Sequence, residues 1–185
     1  NKYAGQRPLY IGESVVQTTK DADIDNPTIN QMAAKFKLRA QLPNVKGAVL
    51  WYAKAVADNV GNYGNTLKDY YWKYPALQPA MPFIDDKAPK KPKHVKTIWI
   101  EDGYILFWVA PAAKHWADSV QKYVVYRFAA GEKINTDDPS KIVTITYNPW
   151  FRLPYDKGRV KYTYVITALD RMSNESKKVK KKIKL

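Results

Sequence analysis

The order of apolar and polar positions changes character near the middle of the chain. In the first half, short apolar runs alternate with stretches of helical period. Residues 8–12 (PLYIG) form an apolar run closed by glycine, the pattern of a buried strand. Over residues 28–40, Ile29, Met32, Ala33, Phe36 and Ala40 recur at spacings of three and four, which predicts an amphipathic helix. Asn26 is placed to cap that helix and Pro27 to open it. Residues 47–52 (GAVLWY) are a second near-continuous apolar run, as expected of a parallel strand covered on both faces. A Gly/Asn-rich loop at 59–65 and a short helix at 66–74 follow, and Pro75, Pro79 and Pro82 mark an irregular close. Two parallel strands do not make an independent sheet, so this half reads as incomplete.

After residue 93 the period becomes two. Runs at 94–100, 103–109, 121–128, 141–147, 160–170 and 177–185 are rich in Val, Ile, Tyr, Phe and Thr. Turn signals separate them, among them Glu101-Asp102-Gly103, Asp137-Asp138-Pro139 and Asp156-Lys157-Gly158. Six or seven such strands predict a small antiparallel β-sandwich. Between the halves, residues 85–93 (DDKAPKKPK) hold two prolines and four lysines, a composition with little to bury. The expected organisation is therefore 1–86, a linker at 87–93, and a sandwich at 94–185.

Composition narrows the chemistry. Of 185 residues, 45% are hydrophobic and 14% aromatic, enough to build a core and too many for a disordered chain. There is no cysteine, and the histidines His94 and His115 lie far apart, so neither a metal site nor a cofactor is expected. No apolar run is long enough for a membrane span. The net charge of +14 is unevenly placed: residues 1–86 carry 10 basic and 8 acidic side chains, and residues 87–185 carry 21 and 9. Such asymmetry raises the question of an anionic partner. In the C-terminal run, however, Val179, Ile183 and Leu185 alternate with Lys178, Lys180, Lys182 and Lys184, the pattern of a strand with one solvated face. No nucleic-acid motif accompanies the lysines, so nucleic acid is not expected as a partner.

Two resemblances add to this picture. Phe107-Trp108-Val109-Ala110-Pro111, Tyr123-Val124-Val125-Tyr126-Arg127 and Tyr162 through Asp170, ending in Ser173-Asn174-Glu175-Ser176, resemble a fibronectin type III domain. There Trp108 resembles the core tryptophan of the second strand, and Tyr162 the tyrosine of the corner. The first half resembles the last βα units of the (β/α)8 barrel in a bacterial glycosyl-hydrolase-like family related to glycoside hydrolase family ten. The matching stretches are Pro8-Leu9-Tyr10-Ile11-Gly12, Gly47 through Tyr52, and Tyr70-Tyr71-Trp72-Lys73-Tyr74-Pro75-Ala76-Leu77. The resemblance implies an α/β barrel fragment followed by an all-β sandwich. It also implies a secreted, periplasmic or cell-surface carbohydrate-active parent, with carbohydrate as its partner. A further expectation is that residues 1–86 meet the rest of the barrel or a second copy of the chain.

Candidate site residues follow from barrel geometry, in which strand C-termini face the active site. Glu13, just behind the first strand, is the candidate acid or nucleophile. Trp51 and Tyr52 end the second strand and offer rings for a sugar face, with Asp58 or Asn59 to bond its hydroxyls. The competing readings are loop and packing roles for all five. With most of a barrel absent, Glu13 and Asp58 are expected to be solvated and the chain by itself to hydrolyse no glycoside. A carbohydrate-binding sandwich would instead display a coplanar aromatic row, for which Trp99, Trp116 and Trp150 are the candidates. A protein-interaction or adhesion module would display a flat apolar patch.

Overall fold

The computed structural model describes residues 7–26, 28–101 and 103–185. The chain divides into two compact units, the first ending at Lys73 and the second running from Tyr74 to Leu185.

In the first unit, strand β1 (Leu9–Ser14) runs directly into helix α1 (Val15–Lys20), whose N-cap is Ser14: its hydroxyl accepts the Gln17 amide at 3.2 Å. Helix α2 (Met32–Ala40) returns the chain to strand β2 (Val45–Trp51), and helices α3 (Ala53–Ala57) and α4 (Tyr63–Thr66) follow, with a π-helical turn over Leu67–Tyr71. Strands β1 and β2 pair in parallel, with Glu13 opposite Leu50 and Ser14 opposite Trp51. One face of the pair is covered by a core of Val15, Met32, Ala55, Tyr63 and Leu67, against which Leu50 and Phe36 pack. The opposite face carries Tyr10, Val49 and Trp51, all exposed. A barrel is a sheet closed on itself; among the described residues of this unit two parallel strands pair, with helices over one face, and the expected barrel portion is not shown by them.

Helix α2 begins at Met32 rather than at residue 28. Asn26 does not cap it; its side-chain oxygen accepts both the amide and the hydroxyl of Thr28, closing a local turn. Pro27, the other half of the expected start signal, lies outside the described residues.

The second unit is made mostly of antiparallel strands. Strands β3 (Lys93–Ile100), β4 (Gly103–Val109) and β7 (Trp150–Leu153) form one sheet in the order β3-β4-β7. The other sheet has the order β6-β5-β8-β9, from β5 (Lys122–Ala129), β6 (Ile142–Thr146), β8 (Lys161–Leu169) and β9 (Val179–Lys184). This distribution, with the fifth strand joining the first two, is that of a fibronectin-III-like sandwich. Between the sheets lies a core of Leu106, Trp108, Tyr123, Val125, Leu153, Tyr164, Ile166, Ala168 and Leu185. Trp108 is 3% exposed and meets Tyr123 edge-on at 5.2 Å, as its assignment to the core requires. Tyr162 is only half-buried, with the Arg127 guanidinium 5.0 Å over its ring; the fully buried tyrosine is Tyr164, two positions on along the same face.

The stretch expected as a linker at 87–93, with the residues before it, packs on the sandwich. Val124, Tyr126, Phe128, Val165 and Leu169 form a second apolar cluster on the outer face of the four-stranded sheet, and Leu77 and Ile134 pack over it. The Met81 amide donates to the Met172 carbonyl at 3.0 Å, and Asn174 Nδ2 donates to the Asp85 carbonyl at 3.0 Å. Pro89 and Pro92 are buried. Residues 74–92 therefore belong to the sandwich as a strap across its face, because prolines carry apolar rings that an extended backbone can lay onto a sheet.

Candidate functional site

The first unit gathers its ionisable chemistry around Glu13. On β1 the alternation of side chains sends Leu9, Ile11 and Glu13 toward the helices and Tyr10, Gly12 and Ser14 away from them. Glu13 is 6% exposed. Its Oε1 accepts from the Tyr63 hydroxyl at 2.8 Å and from Thr18 Oγ1 at 3.2 Å, and its Oε2 lies 3.2 Å from Arg39 Nη1. Lys35 Nζ donates to Thr18 Oγ1 at 2.6 Å. Arg39 is held flat by Phe36, whose ring lies 3.9 Å below the guanidinium and is itself stacked on Tyr71 at 3.8 Å. Burial, then the hydrogen bond to Glu13, pushes the Tyr63 hydroxyl well above its usual pKa.

The expectation that Glu13 is solvated is thereby corrected: donors from α1, α2 and α4 surround it inside the fold. The carboxylate also lies on the opposite face of the sheet from Trp51, whose cross-strand partner is Ser14. The structure therefore does not bring Glu13 and Trp51 together.

Trp51 is 72% exposed and Tyr52 45% exposed, and the peptide bond joining them is cis. Tyr52 stands at the N-cap of α3, its carbonyl accepting the Ala55 amide at 3.0 Å. Asp58 closes the same helix and pairs with Lys54 one turn earlier, on the surface. Asn59 adopts a left-handed backbone; its Oδ1 accepts the Asn65 amide at 2.9 Å and its Nδ2 donates to Asn62 Oδ1 at 3.2 Å. Its side chain organises the loop that leads into α4. Gly64, in the first turn of α4, has no alternative, since a Cβ there would lie 2.5 Å from the Val56 carbonyl oxygen.

A cleft of about 620 Å³ opens between the end of α1, the turn before α2 and the start of the π-helical turn. Asp21, Asn30, Asn62, Thr66 and Tyr71 are among its walls. None of the five candidates of the sequence lines it. Arg39 was detectable, since it falls on the apolar face of α2 at i+3 from Phe36 and i+7 from Met32, where a charge demands a partner. Nothing in the sequence pairs Tyr63 with Glu13.

On the sandwich, the three candidate tryptophans stand apart. Trp99 packs edge-on against Tyr104 and Tyr155, at 4.9 and 4.8 Å. Trp150 points outward from β7, and Trp116 stands in the loop after β4 beside His115. The outer face of β3-β4-β7 brings Ile98 beside Ile105 and Phe107 beside Trp150. Ile98, Val109 and Trp150 are about half exposed, and Lys96 and Arg152 stand on the same face opposite Phe107 and Ile105, so this face is a partly apolar patch interrupted by two cations.

No protein-family model matches the chain. It is similar to "Glycosyl hydrolase YngK" of Bacillus subtilis (strain 168), with 30% identity over 176 residues. The match covers 95% of this chain and crosses both units; the chain spans 34% of that relative's length. Among solved structures, the central fibronectin-III array of RIM-binding protein has a TM-score of 0.39 at 11% identity, over 52% of this chain and 36% of that one. The Clostridium perfringens spore cortex lytic enzyme SleM has a TM-score of 0.37 at 10% identity, over 52% and 28%. The sandwich assignment above rests on strand order and pairing. The relation to a protein described as a glycosyl hydrolase rests on sequence; a place in family ten is not part of it.

Proposed function

We propose that this chain works as part of a longer glycoside-hydrolase-type protein, secreted, periplasmic or at the cell surface, in which the sandwich is an accessory structural module. The observation that carries the reading is the 30% identity to a described glycosyl hydrolase, continuous across both units. In this reading Trp51 and Tyr52 form part of the sugar-facing wall, since exposed rings at a strand end suit the apolar face of a pyranose. Glu13 acts as a positioning residue. Its oxygens are engaged by Tyr63, Thr18 and Arg39, and it anchors the helices behind the strand that ends beside Trp51. Hydrolysis calls for two carboxyl groups flanking the bond, roughly 5–9.5 Å apart depending on stereochemistry. With Glu13 enclosed and Asp58 paired on the surface, the chain alone turns over no glycoside.

The test is reducing-sugar release from a panel of aryl-glycosides and polysaccharides by the longer protein, by its Trp51→Ala and Tyr52→Ala variants, and by this chain. Expected are turnover by the longer protein, a loss of at least about tenfold in kcat/KM in the variants, worth ~1.4 kcal/mol, and none by the chain. Turnover by the chain that disappears in Glu13→Gln overturns the role given to Glu13. Indifference to both aromatic substitutions overturns the wall.

The partly apolar face of β3-β4-β7 favours a second reading, in which the sandwich is a protein-interaction module. Ile98→Lys and Trp150→Lys separate the two: they leave turnover intact in both and abolish a protein contact only in the second.

A further inference from the structure

The outer face of β8 and β9 holds a concentration of positive charge that packing does not explain. Lys161 lies directly opposite Lys184, Thr163 opposite Lys182 and Val165 opposite Lys180. All four lysines are exposed. Like charges directly opposite each other disfavour the pairing they sit on. Among the described residues, no acid lies within ion-pair distance of Lys161, Lys182 or Lys184. A groove of about 410 Å³ opens here, with Lys161, Thr163, Lys182 and Lys184 among its walls; Tyr162 and Ile183 also line it, their side chains packed against the core between the sheets.

Lysines on an edge strand serve to block unwanted pairing, and β9 is such an edge. That accounts for a lysine on β9, but not for Lys161, which lies on an inner strand and faces another lysine. Along β9 the outward lysines recur every second residue, about 7 Å apart. The array is thus a straight row of three with a fourth beside it. A linear chain bearing regularly spaced anions matches such a row; a single small anion does not.

We propose that this lysine row is a docking surface for a linear acidic polysaccharide. The exposed outward side chains of β8 and β9 in this region are Lys161, Lys180, Lys182 and Lys184, with Thr163 half-buried between them and Val165 buried; none of the exposed ones is a ring on which bases could stack or a large apolar wedge for a bilayer. The choice of a polysaccharide among polyanions also rests on the function proposed above. The surface holds the protein on its polymer through charge, apart from any wall that receives the bond to be cut.

The experiment uses this whole chain and polygalacturonate as probe, with fully methyl-esterified polygalacturonate as the uncharged form of the same backbone. Affinity is measured across a salt series for the chain, for the triple variant Lys161→Gln/Lys182→Gln/Lys184→Gln, and for the control Lys37→Gln/Lys46→Gln/Lys68→Gln. Expected are binding to the acid form only, and a loss of tenfold or more in the first variant with a log–log salt slope shallower by about 2–3. The control changes net charge equally and retains most of the affinity, and both variants keep the melting temperature of the parent. Equal losses in the two variants, no loss in the first, or equal binding of the esterified polymer overturns the proposal. So does tighter binding of polyadenylate or of phosphatidylglycerol vesicles through the same three lysines. Turnover plays no part in this readout, so its failure is distinct from a failed glycosidase assay.

Discussion

Replacing Arg39 by Met is expected to damage the first unit while leaving the sandwich untouched. The side chains are similar in length and both can lie on Phe36, so packing is largely kept. What is lost is the countercharge to Glu13 Oε2, in a pair whose side chains are 13% and 4% exposed. Removing one partner of a buried pair costs about 3–5 kcal/mol, because the remaining charge stays in low dielectric uncompensated. A unit of some seventy residues has a total stability of roughly 4–11 kcal/mol at ~0.05–0.15 kcal/mol per residue. The substitution therefore consumes a large share of it. Hydrogen exchange read by mass spectrometry separates the two units: peptides over β1 and α2 lose protection while peptides over β5 and β8 keep theirs. Adding Glu13→Gln to Arg39→Met should recover much of the loss, since neither charge then remains buried. If Arg39→Met exchanges like the parent, or the double variant is worse than the single by the full cost of a second lesion, the pair does not organise this unit.

The Tyr63 hydroxyl has its folded-state pKa raised well above the usual 10. Its contribution to stability is complete below pH 10 and lost as pH rises above 10 toward the folded value. Tyr63→Phe should flatten that alkaline decline, followed by far-UV dichroism against pH, while costing about 1.5–3 kcal/mol at neutral pH for the lost bond to a carboxylate. Trp108→Ala should destabilise the sandwich by about 3–5 kcal/mol in urea titration, and an unchanged midpoint would place that indole outside the core.

The legible and illegible parts of the sequence divide along a physical line. Runs of β-branched and aromatic residues between turn signals announced β4, β5 and β8, and alternation announced β9, whose half-buried strand writes its burial into every second residue. Strand β7 is four residues, WFRL after Asn148-Pro149, too short to show a period. Helix α1 is VVQTTK, rich in β-branched residues, and is held by the Ser14 cap and the burial of Val15 and Thr18 rather than by propensity. The candidate site was read from nearness to strand ends, which placed Trp51 and Tyr52 in the open. The same reasoning could not tell that Glu13 points the other way. Its partners stand 5, 26 and 50 positions away, at Thr18, Arg39 and Tyr63, and only the folded chain brings their donors to one carboxylate.

The strap over residues 74–92 bears on where this protein may be cut. A graft or expression fragment started at His94, where the alternating pattern begins, would strip Leu77 from Val124, Tyr126, Phe128 and Val165 and leave the Asn174 amide without the Asp85 carbonyl. The bared sheet would be a sticky surface of the kind that drives aggregation. Started at Tyr74, the same sandwich carries its own cover. The transferable module is therefore longer than its strands, and its working boundary lies in a proline-rich stretch that composition alone would assign to the space between domains.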